Sequence, residues 1–290
     1  MKNSQYEICG NAAKNGDLDC LKYAHEQGYP WNELTCSYAA LNGHLKCLVY
    51  AHENGCPWDE ITCASAACNG HLECLKYAHE EECPWNRTTC KYAAEKGYLN
   101  CLVYAHENGC PWDEWTCEYA VREGHLNCLK YAHENGCPWD KWTCECAALY
   151  GRLECLKYAQ ENDCPWDKST CINAAFNGHL DCLKYAREHG CPWDENVCVY
   201  AARKHKWDCL AYAISTGLTL RLVDPADVVR ALRRWYYIRV IIKRIQCLRK
   251  KIMKRKINCI SEAWIEYSYA PIKGRPGYER SKQSFCDQQV

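Results

Sequence analysis

Cysteine and histidine are the side chains whose numbers could support chemistry here: the 290-residue chain holds 27 of the first and 11 of the second. Together they could ligate zinc, and the cysteines alone could form disulfides. Their placement argues against both. Of the 27 cysteines, 22 fall at three recurring places, those of Cys36, Cys47 and Cys56 and their echoes every 27 residues. Structural zinc wants a closed ligand set at tight local spacing such as Cys-x2-Cys, and that spacing does not occur in the chain. Equivalent cysteines on neighbouring helices would stand roughly 8–10 Å apart, beyond the ~7 Å that a disulfide can span. They are therefore expected to be buried, reduced thiols that act as small hydrophobes, with no metal bound. The other reactive groups also sit identically in many copies. Catalysis needs one unique constellation, so the expectation is a protein that is not an enzyme and uses no cofactor.

The elements that place these residues are repeats. Pro-Trp pairs begin at 30, 57, 84, 111, 138, 165 and 192, always 27 residues apart. A fixed period in this range means stacked supersecondary units, and the fold class expected is an all-α solenoid. In the second unit Asn32 is a good N-cap, as are Asp59, Asn86, Asp113, Asp140, Asp167 and Asp194 at the same place. A first helix is predicted from about Glu33 to Asn42, stopped by Gly43, and a second from about Leu45 to Asn54, stopped by Gly55. Pro57 then prevents continuation. In the second helix Cys47, Leu48 and Ala51 recur as core, while Lys46 and Glu53 face water. Tyr50 recurs in all eight units and is expected to lie over the neighbouring repeat with its hydroxyl near solvent.

Differences between copies carry the functional signal. The place of Leu34 reads Leu34, Ile61, Thr88, Trp115, Trp142, Ser169 and Asn196, and the places of Ser37, Tyr38, Leu41 and Asn42 also vary. Cys36 never varies, and Thr35, Ala39 and Ala40 vary little. At about 100° per residue the variable and constant places fall on opposite arcs of the first helix. The constant, small arc suits close stacking, which leaves the variable arc free to meet a partner. Trp115 and Trp142 lie on it in adjacent units, with Glu118, Glu145, Tyr119, Arg122, Tyr150 and Phe176 around or along it. Tryptophan, tyrosine and arginine are the usual hot-spot types. These residues are the candidate partner-binding set, although the two indoles could equally pack on the Pro-Trp turns.

The run Ala39-Ala40-Leu41-Asn42-Gly43-His44-Leu45 through Gly55-Cys56 resembles the ankyrin repeat, with its Ala-Ala, Gly-His and terminal Gly landmarks in order. The resemblance covers about residues 4–219. The period is shorter than the family's usual one, and the missing residues fall where that family places its β-hairpin finger. The finger is expected to be absent, with Trp58 and its echoes plugging the join. Short arrays rich in cysteine and tryptophan also resemble ankyrin-type proteins of large DNA viruses of protists. The resemblance implies a scaffold for protein–protein interaction without catalysis; the chain is expected to be a monomer in the cytoplasm, its own cell's or a host's. The N-terminus Met1-Lys2-Asn3-Ser4-Gln5 has no apolar run and no stretch is long enough to span a membrane, which points to the same intracellular place.

The array is expected to occupy residues 1–219, a basic amphipathic helical tail 220–268, and a loose, disordered end 269–290. Residues 1–219 hold 19 Lys+Arg against 30 Asp+Glu, and 220–290 hold 17 against 6. Asp224-Pro225 opens the tail as N-cap and first helical residue. Its candidate residues are Arg233, Arg234, Lys243, Arg244, Ile245, Gln246, Lys250, Lys251 and Arg255; the later ones fit a relaxed IQ motif. Such a tail could cover the last repeat, bind calmodulin, or meet an anionic membrane or nucleic acid, which would make the protein a targeting adaptor.

Overall fold

The computed structural model describes residues 3–218, 223–231 and 233. Within them the chain forms eight helix pairs. They are α1 Asn3–Asn15 with α2 Leu18–Glu26, α3 Glu33–Leu41 with α4 Leu45–Glu53, α5 Glu60–Cys68 with α6 Leu72–Glu80, and α7 Arg87–Lys96 with α8 Leu99–Glu107. Then follow α9 Glu114–Glu123 with α10 Leu126–Glu134, α11 Lys141–Tyr150 with α12 Leu153–Glu161, α13 Lys168–Asn177 with α14 Leu180–Glu188, and α15 Asn196–Arg203 with α16 Trp207–Ser215. No strand occurs among the described residues, so the hairpin finger is absent from this all-helical solenoid.

The local signals act as the residue types dictate. Asn32 holds an extended backbone, and its side chain accepts a hydrogen bond from the Leu34 N–H at 3.2 Å. Asp59, Asn86, Asp140, Asp167 and Asp194 do the same two residues on. Asp113 departs from the expected cap. Its backbone is extended, but its side chain makes no cap bond; Oδ2 instead meets Arg87 at 3.1 Å. The first helix of the first seven pairs ends at a left-handed glycine, such as Gly97 at φ +79°, and in the eighth pair His205 takes that conformation at φ +55°.

Stacking buries what recurs. The first helices pack directly on one another in a row, and the second helices touch their neighbours less. Cys36, Ala39 and Ala40 are fully buried in the close row, and Leu48, Cys47 and Ala51 fill the space between the two layers. One leucine per unit is too little for an independent core, so each repeat depends on its neighbours. A second device ties units together on the outer layer. His106 and Trp112 stack at 3.7 Å with 11° between their planes. Tyr131 of the next unit meets the indole edge-on at 6.2 Å and places its hydroxyl 3.0 Å from His106 Nδ1. The same triad recurs as His52, Trp58 and Tyr77, and as His133, Trp139 and Tyr158. Burial pushes the Tyr77 phenol up to about 12, so the hydroxyl keeps its proton at ordinary pH.

Beyond the eighth pair, the Asp224 side chain accepts from the Ala226 N–H at 2.7 Å and a helix begins at Pro225, as expected. Val223 and Ala231 are buried. Arg233 is exposed. Arg234, Lys243, Arg244, Ile245, Gln246, Lys250, Lys251 and Arg255 lie outside the described residues, and with them the expectations about calmodulin, membrane and nucleic acid and about 269–290. No described helix is long and apolar enough to cross a membrane.

Candidate partner-binding face

The variable arc of the first helices is not uniform. Its leading place stands clear of the stack: Leu34 is 46 % exposed, Ile61 50 %, Trp115 48 % and Trp142 43 %. Its next place is covered in four of seven units and half buried at Lys91, Ile172 and Val199, against the expectation of an open arc. Ser37 and Ala64 are buried, and so are Glu118 at 9 % and Glu145 at 6 % exposed. The reason is the offset between neighbours. This place borders the stacking arc, and the next first helix lies over it, as the 3.3 Å contact between the Ser37 and Thr62 hydroxyls shows. Glu118 and Glu145 therefore sit between α9, α11 and α13 rather than on an open surface.

Trp115 forms one wall of a surface pocket of about 360 Å³ lined by Arg87, Thr88, Lys91, Asp113 and Tyr119. The Trp115 and Tyr119 rings lie 6.1 Å apart, tilted by 40°. The Lys91 ammonium stands over Tyr92 at 4.7 Å and Tyr119 at 4.8 Å. Arg122 continues the pattern over Tyr119 at 5.5 Å and the exposed Tyr150 at 5.6 Å. So Trp115, Tyr119, Arg122 and Tyr150 come together as one stripe across α9 and α11. Phe176 does not join it; it packs on Tyr200 at 6.0 Å, further along the array.

Trp142 reaches back towards α9, and its side chain favours the Glu118 carboxylate. Burial and the charges of Asp140, Glu114 and Asp113 act against it and push Glu118 up to about 7. Burial, aided by Asp167, also raises Glu145, although Lys141 nearby opposes the rise.

Arg87, Thr88, Lys91, Tyr92 and Asp113 were not in the candidate set. A signal for two of them exists in the sequence: opposite charges 26 residues apart, as Arg87–Asp113, Lys141–Asp167 and Lys168–Asp194. All three form ion pairs between units, at 3.1, 3.1 and 3.3 Å.

The described cysteines are free thiols, and nearly all are buried. Those of the Cys56 place donate to the backbone carbonyl at the preceding unit's N-cap. Examples are Cys110 to Asn86 O at 3.3 Å and Cys137 to Asp113 O at 3.2 Å. Cys90 lies against Cys110; that contact and burial hold its thiol far above the ordinary range. Such a thiol is a packing group rather than a nucleophile. Among the described residues no group of three or more metal-ligating side chains converges.

No curated protein matches the chain. The family model of ankyrin repeats in many copies matches residues 11–52, which span the end of the first helix pair's α1 through α4. That match, together with the tandem helix pairs that continue the same pattern to residue 218, supports an ankyrin-repeat protein.

Proposed function

We propose that this chain is a non-enzymatic scaffold that docks a protein partner on the edge of its first helices, anchored at Trp115 and Trp142. Ankyrin repeats generally mediate protein–protein interaction, and the scaffold they form is typically non-enzymatic. The observation that carries the finer reading is the pair of indoles left roughly half exposed at equivalent places of adjacent helices. Stacking does not require them there, because Thr88 and Ser169 fill the same place in the flanking units. Exposed tryptophans next to a pocket and an arginine are what a protein hot spot is made of. Tyr119, Arg122 and Tyr150 extend the anchor sideways, and the pocket beside Trp115 receives a side chain of the partner. The buried Glu118 and Glu145 hold this surface in place and tune it from beneath.

The test is affinity capture with the full chain and with a Trp115→Ala/Trp142→Ala variant of matched melting temperature. Loss of captured partners from the variant supports the reading. Retention of every partner would move the binding face elsewhere.

A further inference from the structure

The centre of this face carries more negative charge than it can neutralise. Glu114 and Asp140 lie near the buried Glu118 of α9, which stands beside Trp142, and Asp140 also lies near the buried Glu145 of α11. The nearby cations are committed elsewhere. Lys141 pairs with Asp167 at 3.1 Å and Arg87 with Asp113 at 3.1 Å. Lys91, on α7, lies between the faces of Tyr92 and Tyr119. Arg122 pairs with Glu123 at 3.3 Å and covers Tyr119 and Tyr150. Among the described residues none of these cations forms an ion pair with Glu114, Glu118, Asp140 or Glu145.

A partner seated on Trp115 and Trp142 must cover the exposed Glu114 and Asp140, with Glu118 and Glu145 already buried beneath. An acidic partner would add like charge to a cluster whose repulsion already helps to raise Glu118. A neutral, apolar partner would strip water from Asp140 and Glu114 and leave them unpaired, which is costly. A cation relieves both problems. Arginine does so best, because its planar group can lie on an indole face while its N–H fork meets a carboxylate. Resting on the function proposed above, the geometry points to an arginine-bearing segment of a protein partner as the occupant of the Trp115–Trp142 face.

The experiment selects peptides from a displayed random library on the full chain. Clones that also bind the Trp115→Ala/Trp142→Ala variant are discarded. The retained peptides are expected to carry arginine. Replacing that arginine with citrulline, its neutral isostere, is expected to weaken binding roughly tenfold or more. This substitution leaves the protein untouched, so misfolding cannot imitate it. A Glu114→Gln/Asp140→Asn variant with unchanged melting should weaken the same peptides similarly. Affinity should also rise with pH through about 7, as the buried Glu118 gives up its proton and adds negative charge beneath the guest cation. Peptides that need both indoles but lack arginine, or that tolerate citrulline, overturn this inference and leave the binding face standing. If no peptide depends on the indoles, the binding face itself falls, and this inference with it.

Discussion

The Trp142 side chain stands beside Glu118, which belongs to the preceding repeat. A carboxylate this well covered, with Asp140, Glu114 and Asp113 beside it, holds its proton up to about pH 7 in the folded state against an ordinary value of 4.5. The unfolded chain gives that proton up earlier. This group's contribution is therefore most favourable below about pH 4.5 and is lost as pH rises to about 7. Glu118→Gln removes the titration but keeps the shape. Its melting temperature is expected to match the parent's near pH 4.5 and exceed it above pH 7. Equal melting of the two proteins at both pH values would show that the site does not perturb Glu118.

Two kinds of tryptophan share this array, and they should part in stability measurements. Trp112 stacks on His106 and meets Tyr131 of the next unit. Trp115 stands half exposed three residues later. Removing a packed indole costs about 3 kcal/mol, whereas trimming an exposed one costs under about 1 kcal/mol. Urea unfolding of Trp112→Ala and Trp115→Ala should order them that way, and the order should invert for partner binding. A Trp115 substitution as destabilising as that of Trp112 would mark it as a packing residue.

Glycine pairs offer a control built into the repeat. Gly97 and Gly109 have nearly the same left-handed backbone, φ +79° and +83°. A Cβ on Gly97 would overlap the His125 ring of the next unit, while one on Gly109 meets nothing within 4 Å. Gly109→Ala should therefore cost only the conformational penalty of about 1 kcal/mol. Gly97→Ala should cost more by the displacement of His125, roughly a further 1–3 kcal/mol. Equal losses in thermal melts would mean that the ring moves aside freely.

Much of this architecture was legible because 27 residues return each side chain to the same environment. Asn32, Gly43 and Gly55 set helix ends that the structure reproduces within a residue. Trp58 was expected to plug the join between units, and its stack on His52 under Tyr77 does so. The partner role of His52 in that plug was not read, because a histidine on a polar face looks like any solvated residue. The open face was read too broadly. Variation alone cannot separate a place that meets solvent from one that meets the next copy, and Glu118 and Glu145 vary with their neighbours while staying buried. The stacking offset decides which is which, and it is not written in one repeat.

The histidine–tyrosine contact should carry measurable coupling between units. His106 Nδ1 and the Tyr131 hydroxyl are 3.0 Å apart, and each also packs on Trp112. Burial keeps the Tyr131 phenol protonated, since its titration is raised. The hydroxyl and the ring nitrogen share a hydrogen bond worth about 1 kcal/mol, its direction set by the ring's tautomer. A double-mutant cycle with His106→Ala and Tyr131→Phe isolates it. The chain itself suggests that His106→Gln will be mild. In a later unit Gln160 stands in the histidine's place, and Tyr185 donates to its Oε1 at 2.9 Å. Tyr131→Phe should therefore cost more than His106→Gln. A solenoid's cooperativity is the sum of such nearest-neighbour terms. If Tyr131→Phe leaves unfolding unchanged with either partner, the interface between these units is held by ring packing alone.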